Sequence, residues 1–451
     1  MISWRWPNSL DKLTPEQKTF WPAGPRLLTF ERDAIWLAAI GRYLWDVDRD
    51  PAAERRYWIG VLGEKFGSPD AGELLLDWYQ TTGPILPGLQ NLTSVANMNW
   101  HPTVIGKEQY VDDILNARSW GEHQGTGNHP SMPVDALFFE RYKREYHQPE
   151  LTDRMTMPVA EMAYRMAKGQ SLAGRMTPDK VMALLVKMAE ESVETARKAR
   201  AAATKNRAEA GRFISDSEAL VLVARAWQCK VMAALHKALW QETGSEENKR
   251  VFLQYLEQSI PVYEQLVALT DRTYVNPTDM VMRLNWNPYG LSHFRRDLEM
   301  QKQKVAVAEI QKKPGFVWLD TEEMQGAGWK VGANYAGYYG RGFRASDSTP
   351  RHAGVLTGSV QVKEAGTYTV WTYGLAERRV DRSFAVEVGG KKLPATHASL
   401  PERGARFVWE KAGTVQLPAG ATRIVITDAG DGYECPDVVV LARDAEWTPA
   451  P

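Results

Sequence analysis

The feature that most constrains the fold is a change of hydrophobic periodicity close to residue 313. Before it, from about residue 28, apolar residues recur every three or four positions, as on the buried face of a helix. After the Pro-Gly pair at 314–315, short segments alternate between apolar and polar residues and are separated by turn sequences. The sequence therefore predicts an N-terminal extension over 1–27, an all-α domain over 28–312 and a β-domain over 313–451.

The N-terminal periodicity predicts a helical bundle. Helices are expected over Phe30–Trp45, Pro51–Phe66, Asp70–Thr81, about 178–205, about 216–243 and about 245–270. Asp50 directly before Pro51 is typical of an N-cap followed by a first-turn proline. The links between the last three helices are short, which favours antiparallel packing. Residues 84–158 are richer in Gly, Pro, Asn and His and predict shorter helices with long connections.

The C-terminal region predicts an antiparallel β-sandwich of the jelly-roll kind, because short strands recur between regularly spaced turns. About nine strands are expected: Phe316–Leu319, Gly354–Leu356, Ser359–Val362, Tyr368–Tyr373, Ser383–Val388, Arg406–Glu410, Gly413–Leu417, Arg423–Thr427 and Asp437–Leu441.

Composition excludes several classes of function. Lys plus Arg and Asp plus Glu both total 55, so no global charge points to nucleic acid or to an anionic membrane. No apolar run reaches the roughly 18 residues that a membrane span requires. The two cysteines, Cys229 and Cys435, form neither a disulfide framework nor a metal-ligand spacing. The first residues lack the order of a secretory signal, so the chain is either cytoplasmic or a mature or truncated form.

Several motifs after residue 315 occur in an informative order. VWLDTEEMQGAGWKVGANYAGYYGRGF is followed by GTYTVWTYG, by FVWEKAGTVQLPAGATRIVIT and finally by DVVVL. This order, over about 316–444, resembles the jelly-roll carbohydrate-binding-like modules that are appended to bacterial polysaccharide-degrading enzymes. The resemblance implies a polysaccharide or oligosaccharide as the binding partner.

Such modules bind sugars through aromatic rings, which stack on C–H-rich sugar faces, and through polar side chains that bond the hydroxyls. In the Gly-rich loop we expect ligand contacts from a set of four rings and one guanidinium: Trp329, Tyr335, Tyr338, Tyr339 and Arg341. Arg378, Arg379 and Arg382 would add contacts to an acidic sugar such as a uronic acid. Phe343 is expected in the core, and Trp371 and Trp409 suit packing as well as ligand. The alternative is a sandwich that only supports a catalytic domain.

The resemblance also implies a structural calcium ion, with an acidic i, i+2 pair on the first strand and an Asp on the last strand. Asp320, Glu322 and Asp437 match those positions, and oxygen ligands suit a hard cation. No other cofactor is expected. Asp46, Asp48 and Asp50 mimic the start of an EF-hand loop, but Pro51 stands where that loop needs glycine, so they predict no calcium site.

The only catalytic candidates lie between the helix sets, where His101, Glu122, His123 and His129 fall within about thirty residues. Their spacing does not match the zinc motif that places two histidines on one helix face. A loop that lines a glycan cleft or a domain interface is the preferred interpretation. An alternative is an all-α enzyme, a glycoside hydrolase or a polysaccharide lyase acting on acidic glycans, in which His101, His123, His129, Asn99 and Tyr110 supply the base and the carboxylate neutraliser.

Helical segments such as ERDAIWLAAIGRYLWDVDRDPAAERRYWIGVLGEKFG resemble those that follow the (β/α) barrel of large bacterial glycan-degrading proteins. Barrel, bundle and sandwich also make up the α-glucuronidases of glycoside hydrolase family 115. The leading hypothesis is therefore a non-catalytic, glycan-binding C-terminal part of a carbohydrate-active enzyme. An upstream catalytic domain and an extracellular or periplasmic location then follow. A scaffold that binds no glycan is the remaining alternative.

Overall fold

The structure is a computed structural model. It describes residues 34–93, 110–116, 157–273, 290–311, 313–332, 338–339, 343–346, 354–377, 382–397, 405–428 and 434–449. The expectations for the extension over 1–27 and for several single residues lie outside this set: Asn99, His101, Glu122, His123, His129, Tyr335, Arg341, Arg378 and Arg379.

Ten helices form the N-terminal part of the described chain. They are α1 (Ala34–Trp45), α2 (Pro51–Phe66), α3 (Pro69–Thr82), α4 (Ile85–Thr93), α5 (Val111–Asn116), α6 (Val159–Ala167), α7 (Pro178–Ala202), α8 (Arg207–Thr243), α9 (Glu246–Thr273) and α10 (Leu291–Gln311). In the part of the chain that the structure describes, none of these helices is both long enough and apolar enough to cross a bilayer.

Local chemistry explains where helices α2 and α3 begin. The carboxylate of Asp50 accepts a hydrogen bond of 2.7 Å from the amide of Ala53, and Pro51 occupies the first turn, which confirms the predicted cap. Ser68 caps α3 in the same way through the amide of Ala71. Gly67 ends α2 with a φ of 75°, a left-handed conformation that glycine adopts without strain.

The longest helix, α8, lies between its neighbours in sequence, α7 and α9, and contacts both of them. Its 37 residues begin at Arg207, more than two turns before the predicted start at about residue 216. The additional turns place Phe213 in a small core with Phe66 and Trp78, whose ring centroids lie 6.0 and 4.7 Å away. Burial of that ring therefore helps to stabilise the first turns of α8.

Ten strands follow in the described residues: β1 (Phe316–Asp320), β2 (Trp329–Gly332), β3 (Phe343–Ser346), β4 (Val355–Val362), β5 (Gly366–Glu377), β6 (Arg382–Val388), β7 (Lys391–His397), β8 (Ala405–Leu417), β9 (Gly420–Asp428) and β10 (Pro436–Ala442). The two strands predicted over 354–362 form one strand, β4, and the two predicted over 406–417 form one strand, β8. Strands β2, β3 and β7 were not predicted from the sequence. A register shift between Val370 and Trp371, opposite Gly413 and Lys411, explains the apparent break in β8.

The strands form two antiparallel four-stranded sheets, which confirms the predicted jelly-roll-like sandwich. Sheet A has the order β1-β10-β5-β8, and sheet B has the order β4-β9-β6-β7. Strands β2 and β3 pair separately. The inner faces of both sheets share one core, in which Leu319 and Leu441 of sheet A pack with Phe384 and Ile426 of sheet B.

The outer face of sheet A carries a second core, which we call the outer aromatic cluster. Its buried members are Val307, Tyr338, Tyr339, Phe343, Ala345, Tyr373, Leu375, Phe407, Cys435, Val438, Val440 and Ala442. All seven residues of β10 are buried, because this cluster covers one face of the strand and the sandwich core covers the other. Since Val307 belongs to α10, the helical region packs against the sandwich at this face.

Candidate functional site

The rings expected to contact a ligand are mostly buried. Trp329 is 6% exposed, Tyr338 is 1% exposed and Tyr339 is 6% exposed. The expectation of exposed rings at these three positions is therefore wrong, because so little ring surface is left to stack on a sugar. Phe343 is 0% exposed, as expected for a core residue.

The two regions that bury these rings differ. Trp329 opens β2 and packs in the core between the two sheets. Tyr338 and Tyr339 instead belong to the outer aromatic cluster, where the Tyr339 ring meets Tyr373 at 4.8 Å and Trp318 at 5.2 Å between centroids. Burial raises the pKa values of Tyr339 and Tyr373 above the ordinary tyrosine value, so both phenols stay protonated at neutral pH.

Four half-buried tryptophans remain at the edge of the outer aromatic cluster: Trp318, Trp371, Trp409 and Trp447. We call them the tryptophan surface. Their ring centroids lie 5.9 Å apart for Trp318 and Trp409, 6.5 Å for Trp409 and Trp447, and 6.0 Å for Trp371 and Trp447. They form one continuous patch of partly exposed indole rings.

Strand register explains why these rings share one face. Trp318 pairs with Val440, which pairs with Trp371, which pairs with Lys411. Residues opposite each other in a sheet project to the same side, so this row runs across all four strands of sheet A. Trp318 and Trp371 are two strands apart, which corresponds to about 9.6 Å between their backbones.

The next row of sheet A brings polar groups to the same patch. Asp320 pairs with Val438, Val438 with Tyr373, and Tyr373 with Trp409. The Trp318 indole N–H donates a hydrogen bond of 2.9 Å to Oδ1 of Asp320. The exposed Lys411 lies at the other end of the first row. The patch therefore combines flat apolar rings with a carboxylate at one edge and an ammonium at the other.

The three carboxylates expected to bind calcium do lie near one another. Asp437 sits at a register shift in β10 and is 0% exposed. Its Oδ2 accepts a hydrogen bond of 2.6 Å from the amide of Tyr339. Burial raises the pKa of Asp437 well above its usual range, and the nearby charges of Asp320 and Glu322 raise it further.

These carboxylates do not by themselves form a metal site. Oδ1 of Asp437 has no hydrogen-bond partner among the described residues, which fits a ligand position. However, no group of three acidic, histidine or cysteine side chains in the described ranges is arranged to hold a metal ion. A lysine ammonium, that of Lys304, also lies against the backbone carbonyl of Tyr338. The geometry therefore fits a calcium ion poorly.

Lys304 belongs to a set of buried charges that the sequence pattern did not reveal. On α8, Lys237 contacts Asp112 of α5, and Lys230 contacts Asp297 of α10 at 3.0 Å. Burial tends to raise the pKa of Asp112, but the ammonium groups of Lys237 and Lys304 together lower it below the usual carboxyl range. Helical periodicity indicates which positions are buried, but it does not indicate which residue neutralises a buried charge. These ion pairs therefore could not be predicted from the sequence.

Among the catalytic candidates, only Tyr110 lies in the described residues. It is 2% exposed, and its hydroxyl lies 2.8 Å from Nδ1 of His293. A phenol enclosed in this way does not face a substrate, so the role that the lyase hypothesis gave to Tyr110 is not supported. Trp318 and Trp447 are the functional candidates that sequence reasoning missed. The outward alternation of Trp318 and Asp320 on β1 was an available signal for the first of them.

Comparison with known proteins gave matches only among solved structures. No protein-family model matches this sequence, and no curated protein matches it. A glycoside hydrolase family 138 enzyme that targets pectin rhamnogalacturonan II aligns at 20% identity with a TM-score of 0.47, over 63% of this chain and 40% of that enzyme. The chain therefore spans less than half the length of that protein.

Two further structures align with smaller parts of the chain. A β-1,4-mannanase of Podospora anserina with a family 35 carbohydrate-binding module aligns at 22% identity, with a TM-score of 0.25, over 30% of this chain and 29% of its own. A family 35 module from an environmental isolate aligns at 20% identity, with a TM-score of 0.22, over 31% of this chain and 94% of its own.

Proposed function

We propose that this chain is the glycan-binding, non-catalytic part of a carbohydrate-active protein, and that the glycan binds on the tryptophan surface. The observation that carries the proposal is the row of partly exposed indole rings on sheet A, flanked by Asp320 and Lys411. Indole faces stack on the C–H faces of sugars, and charged groups at the patch edge bond hydroxyls.

The order of sequence motifs over 316–444 supports the same proposal, because it resembles that of glycan-binding modules attached to polysaccharide-degrading enzymes. The more specific features remain part of the proposal: a bacterial enzyme of the kind found in family 115, an upstream catalytic domain, and a location outside the cytoplasm. A preference for uronic acids also belongs here, since Arg378 and Arg379 would bind their carboxylates.

The proposal is tested by affinity electrophoresis of the full chain in gels that contain neutral or acidic polysaccharides. We expect the wild type to be retarded by at least one of them. Trp371→Ala and Trp409→Ala should each weaken binding roughly 30-fold, because truncating a central aromatic anchor costs about 2 kcal/mol. Trp45→Ala is the matched control, because Trp45 is 89% exposed on α1 and lies outside the tryptophan surface.

The outcomes separate the alternatives. The proposal is supported if the wild type and Trp45→Ala are retarded in the gel and Trp371→Ala and Trp409→Ala are not. Retardation that all three variants keep would place the glycan elsewhere, and no retardation on a broad panel of polysaccharides would favour a scaffold. Depolymerisation of an acidic glycan by the wild type, lost in His101→Ala and His123→Ala, would favour the alternative of an enzyme.

A further inference from the structure

The C-terminal half of α10 is the place where the helical region reaches the sandwich. Val307 packs in the outer aromatic cluster. Lys304 lies three residues earlier, so both side chains project from the same face of the helix. The Lys304 side chain is only 12% exposed, although it carries a charge. A buried ammonium needs partners that offset its loss of hydration.

Lys304 finds such partners on both sides of the interface. Its Nζ donates to Oδ2 of Asp112 in α5 at 2.8 Å and also to the backbone carbonyl of Tyr338. The same nitrogen lies 5.3 and 5.5 Å from the ring centroids of Tyr338 and Tyr339, within the range of a cation–π contact. One charged group therefore joins the helical region to the segment that covers sheet A.

The acidic end of the sandwich lies directly beyond this segment. The amide of Tyr339, next to the carbonyl that Lys304 binds, donates to Asp437. The peptide group between Tyr338 and Tyr339 thus accepts from Lys304 at its carbonyl and donates to Asp437 at its amide, so it connects the ammonium to one of the three carboxylates for which the sequence resemblance implies calcium.

We propose that this acidic end holds no calcium ion, because the ammonium of Lys304 binds the backbone carbonyl beside it, and that the same ammonium ties the sandwich to the helical region. Calcium requires six to eight oxygen ligands. In this structure the carbonyl of Tyr338 already accepts from Lys304. A divalent cation beside a buried ammonium would also be repelled by it. The ammonium that α10 supplies therefore takes the place beside this carbonyl.

The first test measures the wild type alone. Calorimetric titration of the full chain with calcium, after treatment with a chelator, should show no binding below millimolar concentrations. Its melting temperature should change by less than about 1 °C between a chelator and millimolar calcium. Tight calcium binding, or a melting temperature that the chelator lowers clearly, would overturn the proposal. This test needs no variant and does not depend on whether a glycan binds.

The second test removes the ammonium. Lys304→Met keeps the length and apolar stem of the side chain but leaves Asp112 and the Tyr338 carbonyl without this donor. We expect the lowest melting transition to fall by about 5 °C. Lys302→Met is the matched control on the same helix, because Lys302 pairs with Glu257 at 2.8 Å with both side chains about half exposed, at 52% and 53%. If Lys304→Met has the same melting temperature as Lys302→Met, the proposal is overturned.

Discussion

The buried pair of Lys230 and Asp297 allows a sharp prediction about the stability of the helical region. Their Nζ and Oδ2 atoms are 3.0 Å apart, and the side chains are 1% and 0% exposed. Oδ2 of Asp297 also accepts a hydrogen bond of 3.1 Å from the amide of Val111. The ammonium lies 4.4 Å from the ring centroid of Phe294. Both charges are therefore surrounded by protein rather than by water.

Asp297→Ala would leave the Lys230 ammonium buried without its carboxylate. Breaking one partner of a buried ion pair costs about 3–5 kcal/mol, because the remaining charge is neither hydrated nor neutralised. The amide of Val111 also loses an acceptor. We expect the free energy of unfolding of the helical region to fall by about 3–5 kcal/mol, which is a large share of the roughly 5–15 kcal/mol typical of a domain.

Lys230→Met should cost less, because the Asp297 carboxyl can take up a proton. Burial already raises the pKa of Asp297 above its usual value, although Lys230 opposes this. A carboxyl whose pKa is raised on folding contributes stability that is fully present below its unfolded pKa of about 3.9 and is lost as pH rises through the folded value. The loss in Lys230→Met should therefore be smaller at about pH 5 than at about pH 8.

The assay is urea unfolding of the full chain, followed by the helical circular-dichroism signal. Lys302→Met is again the control, and it should change the free energy of unfolding by less than about 0.5 kcal/mol, since its pair with Glu257 is half exposed. The double variant of Lys230→Met with Asp297→Ala should lose less than the sum of the two single losses. If Asp297→Ala costs no more than the control, the reasoning about this buried pair is refuted.

Four further predictions concern single positions. Gly72→Ala should lower stability by about 1–3 kcal/mol in urea unfolding, because its new Cβ would lie 2.6 Å from the backbone nitrogen of Gly63 in the neighbouring helix, and equal stability would contradict this contact. Gly60→Ala, where a Cβ meets nothing within 4 Å, should instead raise stability by about 0.5–1 kcal/mol. Asp50→Ala should cost about 1 kcal/mol in the same assay, and no loss would mean that the cap contributes nothing. Burial raises the pKa of the Cys229 thiol to about 11, so at about pH 8 iodoacetamide should alkylate it far more slowly in the native protein than in urea, and equal rates would exclude the shift.

Helix positions were predictable because capping and periodicity are local. Asp50 and Pro51 mark the start of α2 in the sequence, and the structure shows the expected cap. The early turns of α8 were not predictable, because their stability comes from Phe213 packing on residues about 140 positions away, such as Trp78. The hydrophobic pattern of neighbouring residues does not indicate such a long-range contact, so the predicted start of the helix is too late in the sequence.

The sandwich was predictable as a class because alternation and turns recur, but the fate of its rings was not. Trp329 lies in a four-residue strand among glycines, and a strand that short has no clear alternation. Tyr338 and Tyr339 are buried because they cover sheet A, whose outer face must be covered by some segment. Sequence alone does not show which segment covers which face, so rings in a Gly-rich loop were assigned to a ligand instead of a core.

The ring of Tyr339 lies between the tryptophan surface and the contact with α10. Tyr339 contacts Trp318 and Trp409 of the tryptophan surface at 5.2 and 5.8 Å between centroids. Its backbone amide binds Asp437, and its ring lies 5.5 Å from the Lys304 ammonium. Because packed rings do not shift independently, we expect a displacement of α10 to change the spacing of the indole rings through Tyr339. If a glycan binds on the tryptophan surface as proposed, Lys304→Met should weaken that binding and also lower the melting temperature, whereas Trp371→Ala should weaken the binding and leave the melting temperature unchanged.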